Sequence, residues 1–169
     1  MLIVVSGLPG VGKSAVAAGI AARLSAVHLS VDNAEDAMLG AGLPAGWATG
    51  VAAYEVIRAA AEQNLALGRD VVVDAVNDSE PARETWRRAA GGAAVELRFV
   101  VLTCSDREEH RRRLEGRRRG FRHLPEPTWD RVELRAAAYA PWTDRHVVVD
   151  TDAPLETVIE AAGFGFPYP

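Results

Sequence analysis

Eight residues near the start of the chain, Gly7-Leu8-Pro9-Gly10-Val11-Gly12-Lys13-Ser14, have the types and spacing of a loop that wraps phosphate. They match G-x-x-x-x-G-K-[ST], lie after an apolar run that reads as a strand, and open a helical pattern. Glycine lets successive backbone N–H groups turn into one concavity, and the helix start adds partial positive charge. Lys13 is then placed to reach β- and γ-phosphates and Ser14 to ligate Mg²⁺, with Ala15 the next backbone donor along the helix. A glycine-rich turn with an incidental lysine is the plainer alternative, but residue types, spacing and context all speak against it. Of the 19 basic residues eighteen are arginine, and the one lysine is Lys13.

Two aspartates follow apolar runs. Asp32 comes directly after residues 27–31, where a carboxylate can accept the proton of an attacking hydroxyl, or else cap a helix starting at Asn33. Asp74 ends Val71-Val72-Val73 and is a candidate to hold Mg²⁺ together with Ser14. Asn77 suits either substrate contact or turn chemistry, and Asp36 reads as solvent-facing. The densest charge run is Arg111-Arg112-Arg113-Leu114-Glu115-Gly116-Arg117-Arg118-Arg119. On a helix half of it would face away from any one partner, whereas arginines closing over a transferring phosphoryl group can contribute on the order of 10³–10⁵ in rate. His28, His110, His123 and His146 lack metal-ligand spacing.

Positioning these groups requires a scaffold. Short apolar runs at residues 2–5, 27–31, 71–73, 95–102 and 146–149 read as buried parallel strands. Helical patterns cover residues 13–25, 47–67, 79–90, 106–119, 127–139 and 154–162, with Ser79 and Pro81 opening the third and Gly68 closing the second. The alternation predicts a three-layer α/β sandwich of one domain, residues 1–169, with right-handed crossovers. Residues 40–46 read as a loop, bordered by Trp47 where an acceptor would bind, and the tail 163–169 is aromatic and irregular. The net charge of −4 argues against nucleic acid and anionic membranes as partners. A single cysteine, Cys104, and an apolar start too short for a leader or span predict a cytoplasmic protein, monomeric or homodimeric.

A guanine-reading Asn-Lys-x-Asp motif needs a second lysine, so ATP is the expected nucleotide. Taken in order, GLPGVGKS, HLSVDNAEDAM, VVVDAVN, RLEGR and VVVDT resemble the small P-loop kinases related to nucleoside monophosphate kinases, gluconate kinase, polynucleotide kinase and chloramphenicol phosphotransferase. The last of these is most similar around Val31 to Met38. The resemblance implies a five-stranded parallel P-loop sandwich of order 2-3-1-4-5 with a helical lid at about residues 106–125. It also implies lid arginines Arg113 and Arg117, an i, i+4 pair on one helical face, and a loop at Thr151 lying against adenine. The expected activity is transfer of the γ-phosphate of ATP to a hydroxyl of a small molecule, with Asp32 and Lys13 central. Residues 33–54 contain no arginine, which favours an uncharged, antibiotic- or metabolite-like acceptor. A nucleic-acid 5′-end kinase or binder and a nucleotide-dependent switch are the alternatives.

Overall fold

The computed structural model describes residues 1–165; the end of the aromatic tail, residues 166–169, lies outside them. β1 (Leu2–Ser6) is fully buried, and its alternating side chains feed two cores. Ile3 and Val5 face α1 (Lys13–Leu24), where Val16, Ala17 and Ile20 pack. Leu2 and Val4 face the opposite layer, where α3 (Trp47–Ala66) contributes Ala53, Ile57 and Ala61 and α4 (Glu80–Ala93) contributes Trp86 and Ala89. A strand buried on both faces must be apolar at every position, which is why β1 and β3 (Val71–Asp74) read as unbroken runs rather than alternations.

With β2 (Val27–Ser30), β4 (Leu97–Thr103) and β5 (His146–Asp150), the sheet is parallel throughout and ordered β2-β3-β1-β4-β5. The register aligns Val5 with Asp74, Ser30 with Asp74, and Thr103 with Asp150. Polar strand ends are thereby gathered on one rim, the side on which open α/β sheets bind ligands.

Two boundaries differ from the sequence expectation, with consequences at that rim. β2 ends at Ser30 and α2 (Val31–Gly40) begins at once, so Asp32 lies in the first helical turn instead of following a strand. Ser30 holds the N-cap position, which leaves Asp32 free of that duty. α5 (Arg107–Gly116) is capped by Asp106, whose carboxylate accepts from the N–H groups of Glu108 and Glu109. It stops three residues short of Arg119, where Gly116 meets an extended Arg117 (φ −69°, ψ 149°). Arg113 and Arg117 therefore do not share a helical face. α6 (Trp129–Ala137) starts behind its Thr128 cap, and α7 (Leu155–Ile159) runs into a π-helical turn, Glu160–Phe164. Among the described residues no helix is long and apolar enough to cross a membrane.

Candidate active site

Between β1 and α1 the loop turns through positive φ at Gly7 (140°), Gly10 (97°) and Gly12 (92°). A Cβ on Gly7 would stand 2.5 Å from the carbonyl oxygen of Leu102, so the close approach of loop to β4 requires glycine there. The first intrahelical bond of α1 runs from Val16 N–H to Gly12 O at 3.1 Å. The N–H groups of Lys13, Ser14 and Ala15 precede it and have no i−4 partner inside the helix. No acidic residue in the first turn and no side-chain cap offsets their charge. This is an anion cradle built from backbone.

Above it lies a cavity of about 500 Å³ lined by Gly10, Gly12, Lys13, Ser14, Ala15, Asp32 and four arginines, Arg112, Arg113, Arg117 and Arg119. Lys13 arches back over the loop, its Nζ donating to Leu8 O at 3.0 Å. Burial lowers its pKa to about 8, against the opposing pull of Asp32 and Asp74. Arg117 is likewise pushed below its ordinary value by burial and by Arg119. Its Nε donates to Glu126 at 2.7 Å; its buried Nη2 touches the same carboxylate but makes no well-formed hydrogen bond. A crowd of partly desolvated cations fits a polyanion such as a triphosphate.

Asp74, 2% exposed, is held by three donors. Ser14 Oγ and Ser30 Oγ donate to its Oδ1 at 3.3 and 3.1 Å, and His28 Nε2 lies 2.7 Å from Oδ2. The Ser14–Asp74 pair suits a hard cation that takes its remaining oxygens from phosphate and water. His28 and Ser30 orient that carboxylate, roles the sequence reading did not assign to them. Only the i, i+2 placement of two polar residues on β2 hinted at them.

Arg113 donates through Nη1 to Thr151 O (2.9 Å) and Oγ1 (3.1 Å) and through Nε to Glu109 (2.6 Å). It ties α5 to the loop after β5. Arg119, part of the charge run but given no role of its own in the sequence reading, forms an ion pair with Asp32, and its Nε meets Glu126 at 2.7 Å. The neighbouring cations are compensated as well: Arg111 by Glu115 and Arg112 by Glu109.

Asn77 resolves toward turn chemistry. Buried and at φ 54°, its Nδ2 donates to Ser6 Oγ at 2.8 Å and its Oδ1 accepts from Trp86 Nε1 at 2.7 Å. Asp36 is engaged rather than solvated, accepting from the N–H groups of Arg122, His123 and Leu124. His110, fully packed, bonds Pro9 O at 2.8 Å and pins α5 to the phosphate loop.

On the far side of Asp32 a second cavity of about 900 Å³ opens between α2, α3, α4 and α6. Asp32, Glu35, Tyr54, Arg88, Arg131 and Arg135 line it, with Trp47, 84% exposed, at its edge. The arginines come from α4 and α6, so the lack of arginine in residues 33–54 does not select an uncharged ligand. Burial and the nearby Asp32 raise the pKa of Glu35, with Arg135 opposing. Asp32 lines both this cavity and the one above the phosphate loop.

The AAA domain family profile matches residues 2–139. Among solved structures the chain is similar to a sugar kinase from Janibacter sp. HTCC2649, with 18% identity over 95% of this chain and 91% of that one and a TM-score of 0.72. A gluconokinase from Sinorhizobium meliloti 1021 shares 24% identity over 95% and 87% of the two chains, with a TM-score of 0.65. An APS kinase from Mycobacterium tuberculosis, in complex with AMPPNP and APS, shares 18% identity over 94% and 92%, with a TM-score of 0.66. These likenesses establish a P-loop kinase fold. No curated protein matches the sequence significantly.

Proposed function

The chain belongs to the AAA domain family, and from that premise we propose that it is an ATP-dependent phosphotransferase carrying the γ-phosphate to a hydroxyl of a small molecule. The observation that carries this reading is the position of Asp32, which lines both a cationic phosphate cavity and a larger cavity beyond it. A transfer enzyme needs such a junction, because donor and acceptor must meet in line at one carboxylate. The kinase neighbours support the same reaction class.

In this reading the loop from Gly7 to Ser14, with Ala15, holds the phosphate chain, and Lys13 holds the β- and γ-oxygens. Ser14 and Asp74 would hold Mg²⁺, which when bound would supply neutralisation of phosphate charge. Asp32 accepts the proton of the acceptor hydroxyl, and Arg117 and Arg119 balance the charge that spreads over the transferring group. Arg113, anchored on Thr151, serves the base side of the nucleotide. The acceptor occupies the 900 Å³ cavity, between Glu35, Trp47 and the α6 arginines.

The test is a screen of hydroxyl compounds with ATP and Mg²⁺, read by ADP release and by a one-phosphoryl mass gain on the acceptor. An acceptor-dependent turnover that falls about 10²-fold or more in Asp32→Asn, with ATP affinity changed only a few fold, supports the reading. Slow ATP hydrolysis indifferent to every acceptor would overturn it in favour of a nucleotide switch.

A further inference from the structure

We infer that Asp36 is a positioning residue, clamping the arginine segment that follows α5 onto the helix that carries Asp32. The role assigned to that segment rests on the phosphotransferase reading; the clamp itself rests on geometry. Residues 32, 36 and 40 fall at i, i+4 and i+8 on α2 and so form one stripe. Each meets the segment 119–123 or its continuation. Asp32 pairs with Arg119. The Oδ1 of Asp36 accepts from three consecutive backbone donors, Arg122 N at 3.1 Å and His123 N and Leu124 N at 2.8 Å each. At Gly40 an added Cβ would lie 2.8 Å from Cδ2 of His123, so the ring closes on bare backbone.

Residues 117–128 belong to no helix or strand, so their N–H groups have no ladder to satisfy them. Three of these amides converging on one carboxylate oxygen is how such a strap acquires a fixed shape. Those bonds also hold the Asp36 carboxyl below the usual carboxylate range. The strap is braced internally by Glu126, which accepts from Nε of both Arg117 and Arg119 at 2.7 Å. Its other end is fixed through α5, where His110 holds Pro9 O.

The Asp32–Arg119 pair cannot serve as the lasting anchor. During transfer Asp32 must turn to a hydroxyl and Arg119 to phosphate oxygens, so that contact loosens when it is needed most. Asp36 takes no part in the chemistry and can hold throughout. It keeps Arg117 and Arg119 over the loop while their own partners change.

Asp36→Ala, Asp36→Asn and Gly40→Ala are to be compared with the parent in limited trypsin digestion. Arg117, Arg118, Arg119 and Arg122 offer cleavage sites in the strap itself. Expected are cleavage there about tenfold faster in Asp36→Ala, an intermediate rate in Asp36→Asn, whose amide oxygen still accepts, and accelerated cleavage in Gly40→Ala. With an acceptor in hand, kcat should fall by up to about 10²-fold in Asp36→Ala while acceptor KM stays within a few fold. Unchanged cleavage in all three variants, with transfer intact, would overturn the clamp and leave the phosphotransferase reading standing. Faster cleavage in a protein for which no acceptor exists would sustain the clamp and remove that reading. If Asp36→Ala does not fold, Asp36→Asn and Gly40→Ala decide alone: parent-like cleavage in both overturns the clamp.

Discussion

At Lys13 burial under the phosphate loop competes with the attraction of Asp32 and Asp74, and burial prevails, bringing the pKa to about 8. The unfolded chain keeps a lysine near 10.4, so it binds more protons than the folded one between those values. Below pH 8 both states are protonated and folding bears the full cost of the buried ammonium. Above it that cost fades, and the Lys13 contribution to stability rises with pH. Lys13→Met should therefore abolish ATP-dependent turnover while leaving the thermal midpoint at pH 7 equal to or above the parent's; a lowered midpoint would mean that the ammonium stabilises the free protein. By the same linkage, a phosphate chain over Lys13 raises its pKa. ATP affinity, followed calorimetrically, should weaken from pH 8 upward by as much as about tenfold per unit. Lys13, Ser14 and Asp74 were legible in the sequence because chemistry and motif coincide there. Arg119, His28 and Asp36 were not, since each acts through a partner 46 to 87 positions away.

Among the elements, α4 carries the least expected side chain. Arg83 is fully buried on the stripe it shares with Trp86 and Ala90. It donates to the carbonyls of Asn77 (3.1 Å), Pro141 (2.7 Å) and Ala140 (2.6 Å) and lies 3.9 Å from the ring centre of Trp142. It thereby fastens the chain after α6 to the start of α4. Arg83→Leu keeps the volume and strands three carbonyls, a loss of about 3 kcal/mol or more. For a domain of this size that is an unfolding midpoint roughly 6–12 °C lower in scanning calorimetry. A shift under about 1 kcal/mol would show that water satisfies those carbonyls instead. A charged residue on an apolar stripe was the available clue, and helix patterning alone discards it as noise. Helix ends were misplaced for a related reason. At Gly116 the helix ends although the charge run goes on, and the extended Arg117 turns to Glu126.

For the molecule as a whole, the alternation of apolar runs and helical patterns made the α/β sandwich readable, whereas the sheet order came only through the resemblance to small P-loop kinases. The large cavity was not readable: its walls come from four helices whose mutual placement no local pattern encodes. The solitary lysine has a consequence at this scale. Arginine guanidiniums, eighteen of them, are inert to amine-acylating reagents near neutral pH, leaving Lys13 as the one side-chain amine in 169 residues. Its pKa of about 8 leaves a substantial neutral, nucleophilic fraction at mildly alkaline pH. A small acylating reagent should thus tag a single side chain, at the centre of the proposed nucleotide site. Mass spectra of the peptide that carries Lys13, separated from the tag on the α-amine of Met1, would then report site occupancy, its adduct disappearing as ATP and Mg²⁺ are titrated in; a Lys13 adduct that forms equally with nucleotide present would place the phosphates elsewhere.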